Sequence, residues 1–232
     1  MSGQDISIAG PDGSFSGYLS TPANGSGPGV VVIQEIFGVN KVMRDIADDL
    51  AAQGYVALCP DLFWRLEPGI QLTDQSEAEW QKAFDLFGKF DVDAGVKDID
   101  ATISHLRGLE ACSGKVGAVG YCLGGLLAYL TAARTSADAS VGFYGVNIQE
   151  KLGESSNISK PLMLHVASKD QFVPPEAQQA VKDGLAGNDQ VTIHTYDGND
   201  HAFARVGGEH YDKAAADLAN QRTSDFFKSH LA

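Results

Sequence analysis

Apolar and polar positions alternate with two different periods along this chain, and the switches between them predict the elements. Ile6–Ala9 and Phe15–Ser20 flank Pro11-Asp12-Gly13 and read as a β-hairpin. Gly29 to Ile33 is a continuous β-branched run, the pattern of a strand buried on both faces of a parallel sheet. Asn40 then caps a helix carrying Met43, Ile46, Ala47 and Leu50 on one face, which stops at Gly54. Tyr55–Leu58 is the next strand, and an irregular stretch, Asp61–Asp74, leads to helices over 76–87 and 92–106. Further strands are expected at 115–119, 139–143, 161–167 and 191–196, with helices at 124–133, 175–185 and 209–228. Strands alternating with helices of this length predict an α/β protein whose mainly parallel sheet has helices on both faces. In such a sheet the functional loops lie beyond the carboxyl ends of the strands.

One of those loops carries Gly120-Tyr121-Cys122-Leu123-Gly124, between the strand Lys115–Val119 and the helix from Gly124. This is the G-x-S-x-G nucleophile elbow with cysteine in place of serine. Small residues two before and two after the nucleophile let the chain reverse tightly, and the helix N-terminus favours a thiolate and an oxyanion. A base and its orienter are expected later in the chain, acid first. Asp170 follows the strand that ends at Ala167, and His201 follows the strand that ends at Tyr196. His165 and His194 lie inside strands, His105 inside a helix, and His210 and His230 in the last helical region. Asp197 and Asp200, beside His201, suit loop structure better than the orienting role. Cys122, Asp170 and His201 thus fall in the expected order at the expected places.

Composition narrows the setting. The 232 residues are ample for a single core over 1–232, and no linker or repeat divides them. Seventeen Lys and Arg against thirty Asp and Glu give a net charge of −13, which argues against a nucleic-acid or membrane-surface partner. No apolar run reaches membrane-spanning length, and the first residues lack a signal-peptide pattern, so a cytoplasmic protein is expected. Three cysteines are too few for a disulfide scaffold or a four-cysteine zinc site. Cys59 ends a strand and reads as core, while Cys112 reads as a loop residue. The scattered histidines offer no metal-ligand set, and no C-x-x-C pair supports redox chemistry.

The motifs QEIFGVN (34–40), YVALCPDL (55–62), GYCLGG (120–125), GFYGV (142–146), KDQFVP (169–174) and HAFAR (201–205) resemble the dienelactone hydrolase, or carboxymethylenebutenolidase, family over nearly the whole chain. These are cysteine-using α/β-hydrolases. The resemblance implies an eight-stranded, mainly parallel sheet, a monomer without cofactor, and a small lactone or ester substrate. It places the catalytic cysteine, aspartate and histidine on Cys122, Asp170 and His201, and the active-site glutamate on Glu35. On residue grounds alone, Glu35 is either an ordinary loop charge or a functional carboxylate. The same match gives the backbone N–H groups of Ile36 and Leu123 to the oxyanion hole.

Arg205, four residues past His201, could clamp a substrate carboxylate; otherwise it is a surface arginine or a partner only for Glu35. Phe84 and Phe87 stand where the family has a tyrosine and a tryptophan that enclose substrate, and are either core or pocket wall. Tyr144 either lines the pocket or packs. One departure matters: Trp80 stands where the family has a second carboxylate-binding arginine. Arg65, Lys82 and Arg205 are the cations that could compensate, and Gly88 could widen the same wall. The expected reaction is opening of a dienelactone or related activated ester through a thioester. The alternatives are a broad esterase of neutral or apolar activated esters and a non-catalytic ligand- or protein-binding α/β domain.

Overall fold

The computed structural model describes residues 3–232. Met1 and Ser2, at the start of the stretch read for a signal peptide, lie outside the described residues. Eight strands form one sheet in the order β1-β2-β4-β3-β5-β6-β7-β8, and helices cover both sides. This is the expected α/β-hydrolase fold. The chain forms two compact units, one ending at Ala118 and one running from Val119 to Ala232.

The first unit opens with the hairpin of β1 (Gln4–Gly10) and β2 (Gly13–Ser20), antiparallel from Gln4 opposite Leu19 to Gly10 opposite Gly13. β2 also pairs antiparallel with β4 (Val56–Pro60), and β4 runs parallel to β3 (Gly27–Ile33). Every residue of β4, and Val30 to Ile33 of β3, is buried, as expected for strands covered on both faces. Helix α1 (Lys41–Ala52) is capped by Asn40, whose side-chain oxygen accepts the Met43 N–H at 3.2 Å.

The irregular stretch after β4 is held by its own polar groups. Asp61 accepts the N–H groups of Phe63 (3.1 Å) and Gly69 (2.7 Å), and the Gln34 side chain accepts that of Leu62 (3.0 Å). Helices α2 (Glu77–Lys89) and α3 (Val92–Gly108) follow, capped by Ser76 and Asp91. Buried Asp98 of α3 binds the guanidinium of Arg65 and accepts the Trp64 indole N–H at 2.9 Å.

β5 (Cys112–Tyr121) begins three residues earlier than the pattern predicted. Its first four residues are not buried, so they carry no apolar signal, and Cys112 belongs to a strand rather than to a loop. The second unit continues with α4 (Leu123–Arg134), β6 (Ala139–Phe143) and β7 (Leu162–Ala167). It ends with α5 (Pro175–Leu185), β8 (Val191–Tyr196) and α6 (Lys213–Leu231). β6, β7 and β8 are mutually parallel. Two differences from the sequence pattern stand out. A 3-10 segment over Ile148–Asn157 was not expected, and of its residues only Ile148 is buried. The last helix starts at Lys213 rather than Glu209, because Asp212 caps it by accepting the Ala215 N–H at 2.9 Å. His210 therefore sits in a turn.

Candidate active site

Cys122 occupies the turn between β5 and α4 with φ +57° and ψ −114°, a conformation that L residues rarely adopt. The glycines around it explain how the chain makes that turn. A Cβ on Gly120 would lie 1.9 Å from the Gly124 carbonyl oxygen, and one on Gly125 would lie 2.6 Å from Cα of Gly145. The strand end, the helix start and the β6 loop pass so closely that no side chain fits between them. The Cys122 N–H donates to the Phe143 carbonyl at 3.1 Å, which ties the elbow to the end of β6. Leu123 is the first residue of α4, and its amide has no acceptor within the helix. The apolar character of α4, buried from Leu123 to Ala132, holds this helix start in place.

The loop after β7 carries Asp170, and the loop after β8 carries His201. Both side chains are buried, and Nδ1 of His201 lies 2.9 Å from an oxygen of Asp170. The other Asp170 oxygen accepts the N–H groups of Phe172 (2.9 Å) and Val173 (3.2 Å). Nε2 of His201 is buried without a well-aligned hydrogen bond, and the group that acts on it is the Cys122 thiol. Burial pulls the His201 imidazolium down. The Cys122 thiolate first, then the Asp170 carboxylate, outweigh that and hold it above the ordinary histidine range. Such an arrangement can hold an imidazolium beside Cys122 and then pass its proton on.

Aromatic rings surround this pair. Tyr144, at the end of β6 with φ +37°, meets the His201 ring edge-on at 5.1 Å, and Phe203 meets Tyr144 at 5.6 Å. Phe172 also meets the His201 ring edge-on, at 4.9 Å, while remaining 42% exposed. Sequence reasoning passed over Phe172. Its signal was an aromatic between Asp170 and Pro174 in a polar loop, where no core periodicity calls for one. Arg205 is buried, and its backbone N–H donates to the Ala202 carbonyl at 2.9 Å. Of the rival orienters, Asp200 turns its carboxylate to backbone amides.

The remaining site candidates belong to the first unit. Glu35 and Ile36 directly follow β3, and both are buried. On α2, the Trp80 ring stacks on Phe84 (5.4 Å, 26°) and meets Phe37 edge-on at 5.0 Å, while its N–H donates to the Asp74 carbonyl at 3.0 Å. Phe84 is 46% exposed and Phe87 half-buried; Ala83 and Leu86 are the buried residues of α2, so neither phenylalanine is core. Arg65 and Lys82, expected as possible compensation for Trp80, each hold a carboxylate partner. Arg65 pairs with Asp98 and Asp12, and Lys82 pairs with Glu67 at 2.7 Å. Cys59 is fully buried, and burial pushes its thiol far up, in keeping with a core residue. Among the described residues no three His, Cys, Asp or Glu side chains group so as to hold a metal ion, and no helix is long and apolar enough to cross a membrane.

Comparison with known proteins shows the family. A carboxymethylenebutenolidase of Pseudomonas putida is 41% identical over 224 residues, covering 96% of this chain and 95% of its own. A protein of Azospirillum brasilense, named provisionally as a carboxymethylenebutenolidase, is 52% identical over 233 residues, covering 98% and 99%. The crystal structure of a Klebsiella pneumoniae protein, provisionally a dienelactone hydrolase, superposes with a TM-score of 0.86 at 26% identity over 98% of each chain. The model of the dienelactone hydrolase family matches residues 15–231, from β2 to the last residue of α6, and it is to this family that the chain belongs.

Proposed function

We infer that this carboxylic ester hydrolase opens dienelactone, 4-carboxymethylenebut-2-en-4-olide, or a closely related activated ester through a thioester on Cys122. The observation that supports this most is the His201 imidazole, bound by Asp170 at 2.9 Å and acted on by the Cys122 thiol at a strained elbow. The Cys122 thiolate attacks the ester carbonyl, and the Leu123 N–H stabilises the oxyanion that forms. Collapse of the tetrahedral intermediate expels the ring oxygen, which takes the His201 proton. His201 then removes a proton from water, the hydroxide adds to the thioester, and the thiolate leaves with the acid released. A thiolate is a better leaving group than an alkoxide, so the route suits esters whose leaving oxygen is stabilised, as in an enol lactone. The family resemblance, rather than any geometry, supports a part for Glu35 in ionising the thiol and for the Ile36 N–H in holding the oxyanion.

Substrate recognition is assigned on the same basis, with Arg205 binding a substrate carboxylate and Tyr144, Trp80, Phe84 and Phe87 enclosing the ring. A second reading, an esterase favouring neutral or apolar esters, is favoured by one observation: Arg65 and Lys82 have carboxylate partners of their own and Trp80 is apolar. That residues 1–232 act as one domain is likewise proposed, on a family match that runs through 15–231. A cytoplasmic monomer fits the resemblance, the acidity and three cysteines that form no disulfide.

The test is intact-mass spectrometry during turnover, with dienelactone and 4-nitrophenyl acetate compared at matched concentration. A Cys122 adduct of one acyl group and loss of activity in C122A are expected. An active C122A variant overturns the mechanism, and a strong preference for the acetate selects the second reading.

A further inference from the structure

The loops carrying Asp170 and His201 are joined by more than their side-chain contact. The Lys169 N–H donates to the Asn199 carbonyl at 2.9 Å, the Ser168 N–H to the Tyr196 carbonyl at 3.1 Å, and the Gly198 N–H to the Ser168 hydroxyl at 2.9 Å. These bonds tie the loops ahead of the two catalytic side chains. Beside the Asp170–His201 contact, Oδ1 of Asp200 accepts the N–H of His201 at 2.6 Å and the N–H of Gln171 at 3.0 Å. The residue after Asp170 and the backbone of His201 thus share one carboxylate oxygen. Just beyond, Ala202 has φ +61°, a conformation unfavourable for an alanine that persists only where the surroundings hold it.

We propose that Asp200 is a positioning residue for the hydrolysis, its carboxylate fixing the spacing of the Asp170 and His201 loops while touching neither imidazole nor substrate. The proposal rests on the assignment of Asp170 and His201 given under Proposed function. It predicts that acceptance of the two N–H groups matters, and the negative charge does not. An asparagine amide oxygen can accept both bonds, whereas alanine can accept neither. Losing the clamp lets His201 drift relative to Cys122, and a displacement on the order of 1 Å can cost about 100-fold in rate.

The experiment compares D200A, D200N and H201A with the wild type, using 4-nitrophenyl acetate, with kcat and KM read separately across pH. D200A is expected to lose about 10- to 100-fold in kcat with KM changed less than about twofold. Its alkaline limb should move to lower pH, since a weakened Asp170 contact holds the imidazolium less well. D200N should keep kcat within about threefold of the wild type. A D200A variant with wild-type kcat and pH profile, or a D200N variant as impaired as D200A, overturns the proposal. Should D200A fail to fold, D200S carries the test, since its shorter hydroxyl reaches fewer of the two amides and should lie between the other variants. An active H201A variant overturns the underlying assignment as well, which separates the two failures.

Discussion

Replacing Gly120 by alanine tests whether the elbow is held by backbone contact. The added Cβ would stand 1.9 Å from the Gly124 carbonyl oxygen, 2.4 Å from the carbonyl carbon and 3.1 Å from Cα. Contacts under 3.0 Å do not occur for real Cβ atoms, so the two backbones must part by at least 1.1 Å, the difference between 3.0 and 1.9. No flexible side chain can absorb that movement, because every atom met is main chain. Overpacking typically costs about 1–3 kcal/mol, and a clash of backbone with backbone belongs at or above the top of that range. For a chain of this length, about 3 kcal/mol lowers Tm by roughly 6–12 °C.

The same movement displaces Cys122 from His201, and a shift on the order of 1 Å at the proposed nucleophile is worth about 100-fold in kcat. The assay is differential scanning calorimetry beside initial rates on 4-nitrophenyl acetate. Gly88→Ala serves as control: Gly88 lies in α2 with nothing within 4 Å of its added Cβ, so the substitution should stabilise by about 0.5–1 kcal/mol. A G120A protein with wild-type Tm and wild-type rate would refute the argument that close backbone approach builds the elbow.

Two further outcomes follow from buried charge. Asp98 is fully buried and takes the indole N–H of Trp64 and two guanidinium nitrogens of Arg65, whose side chain is 27% exposed. Breaking a fully buried pair costs about 3–5 kcal/mol, and the partial access of Arg65 to water lowers this to about 2–4 kcal/mol for D98A. Urea denaturation should show that loss, whereas D12A, which removes only an exposed partner, should cost under about 1 kcal/mol. The second outcome concerns pH. His201 is held above its unfolded value, so its contribution to stability is complete below about pH 6.5. It is then lost as pH rises through the folded value, about 10. The stability difference between the wild type and H201N, measured by urea unfolding at pH 6, 8 and 10, should therefore shrink with rising pH; a constant difference would contradict this linkage.

What could be read from the chain alone divides along a physical line. β3 and β4 were legible as apolar runs buried on both faces, β6 and β7 as buried runs that Ser140 and His165 only briefly interrupt, and α1 because Asn40 marks its start. The elbow was legible for a stricter reason: the contact of 1.9 Å at Gly120 admits only glycine, so the constraint is written into the residue itself. Features whose cause lies in another part of the chain left no such mark. Tyr144, Asn147 and Ala202 adopt positive φ without being glycine, and nothing in their neighbours announces it. The 3-10 segment at 148–157 has one buried residue and no period. Asp200 looked like any acidic loop residue, because its significance depends on Gln171, twenty-nine positions earlier.

The same division applies to the chemistry. The proposed catalytic residues Cys122, Asp170 and His201 are marked by their places at strand ends, and the structure brings His201 and Asp170 into contact; the engagement of Arg65 by Asp98 left no such mark. That engagement bears on specificity, since Arg65 and Lys82 each have a carboxylate partner of their own, and the family resemblance assigns the substrate carboxylate to Arg205. The net charge of −13 works against any long-range attraction of an anionic lactone. Recognition of such a substrate therefore has to come from a short-range bidentate contact, so replacing Arg205 by lysine, which keeps the charge but not the fork, should already weaken it.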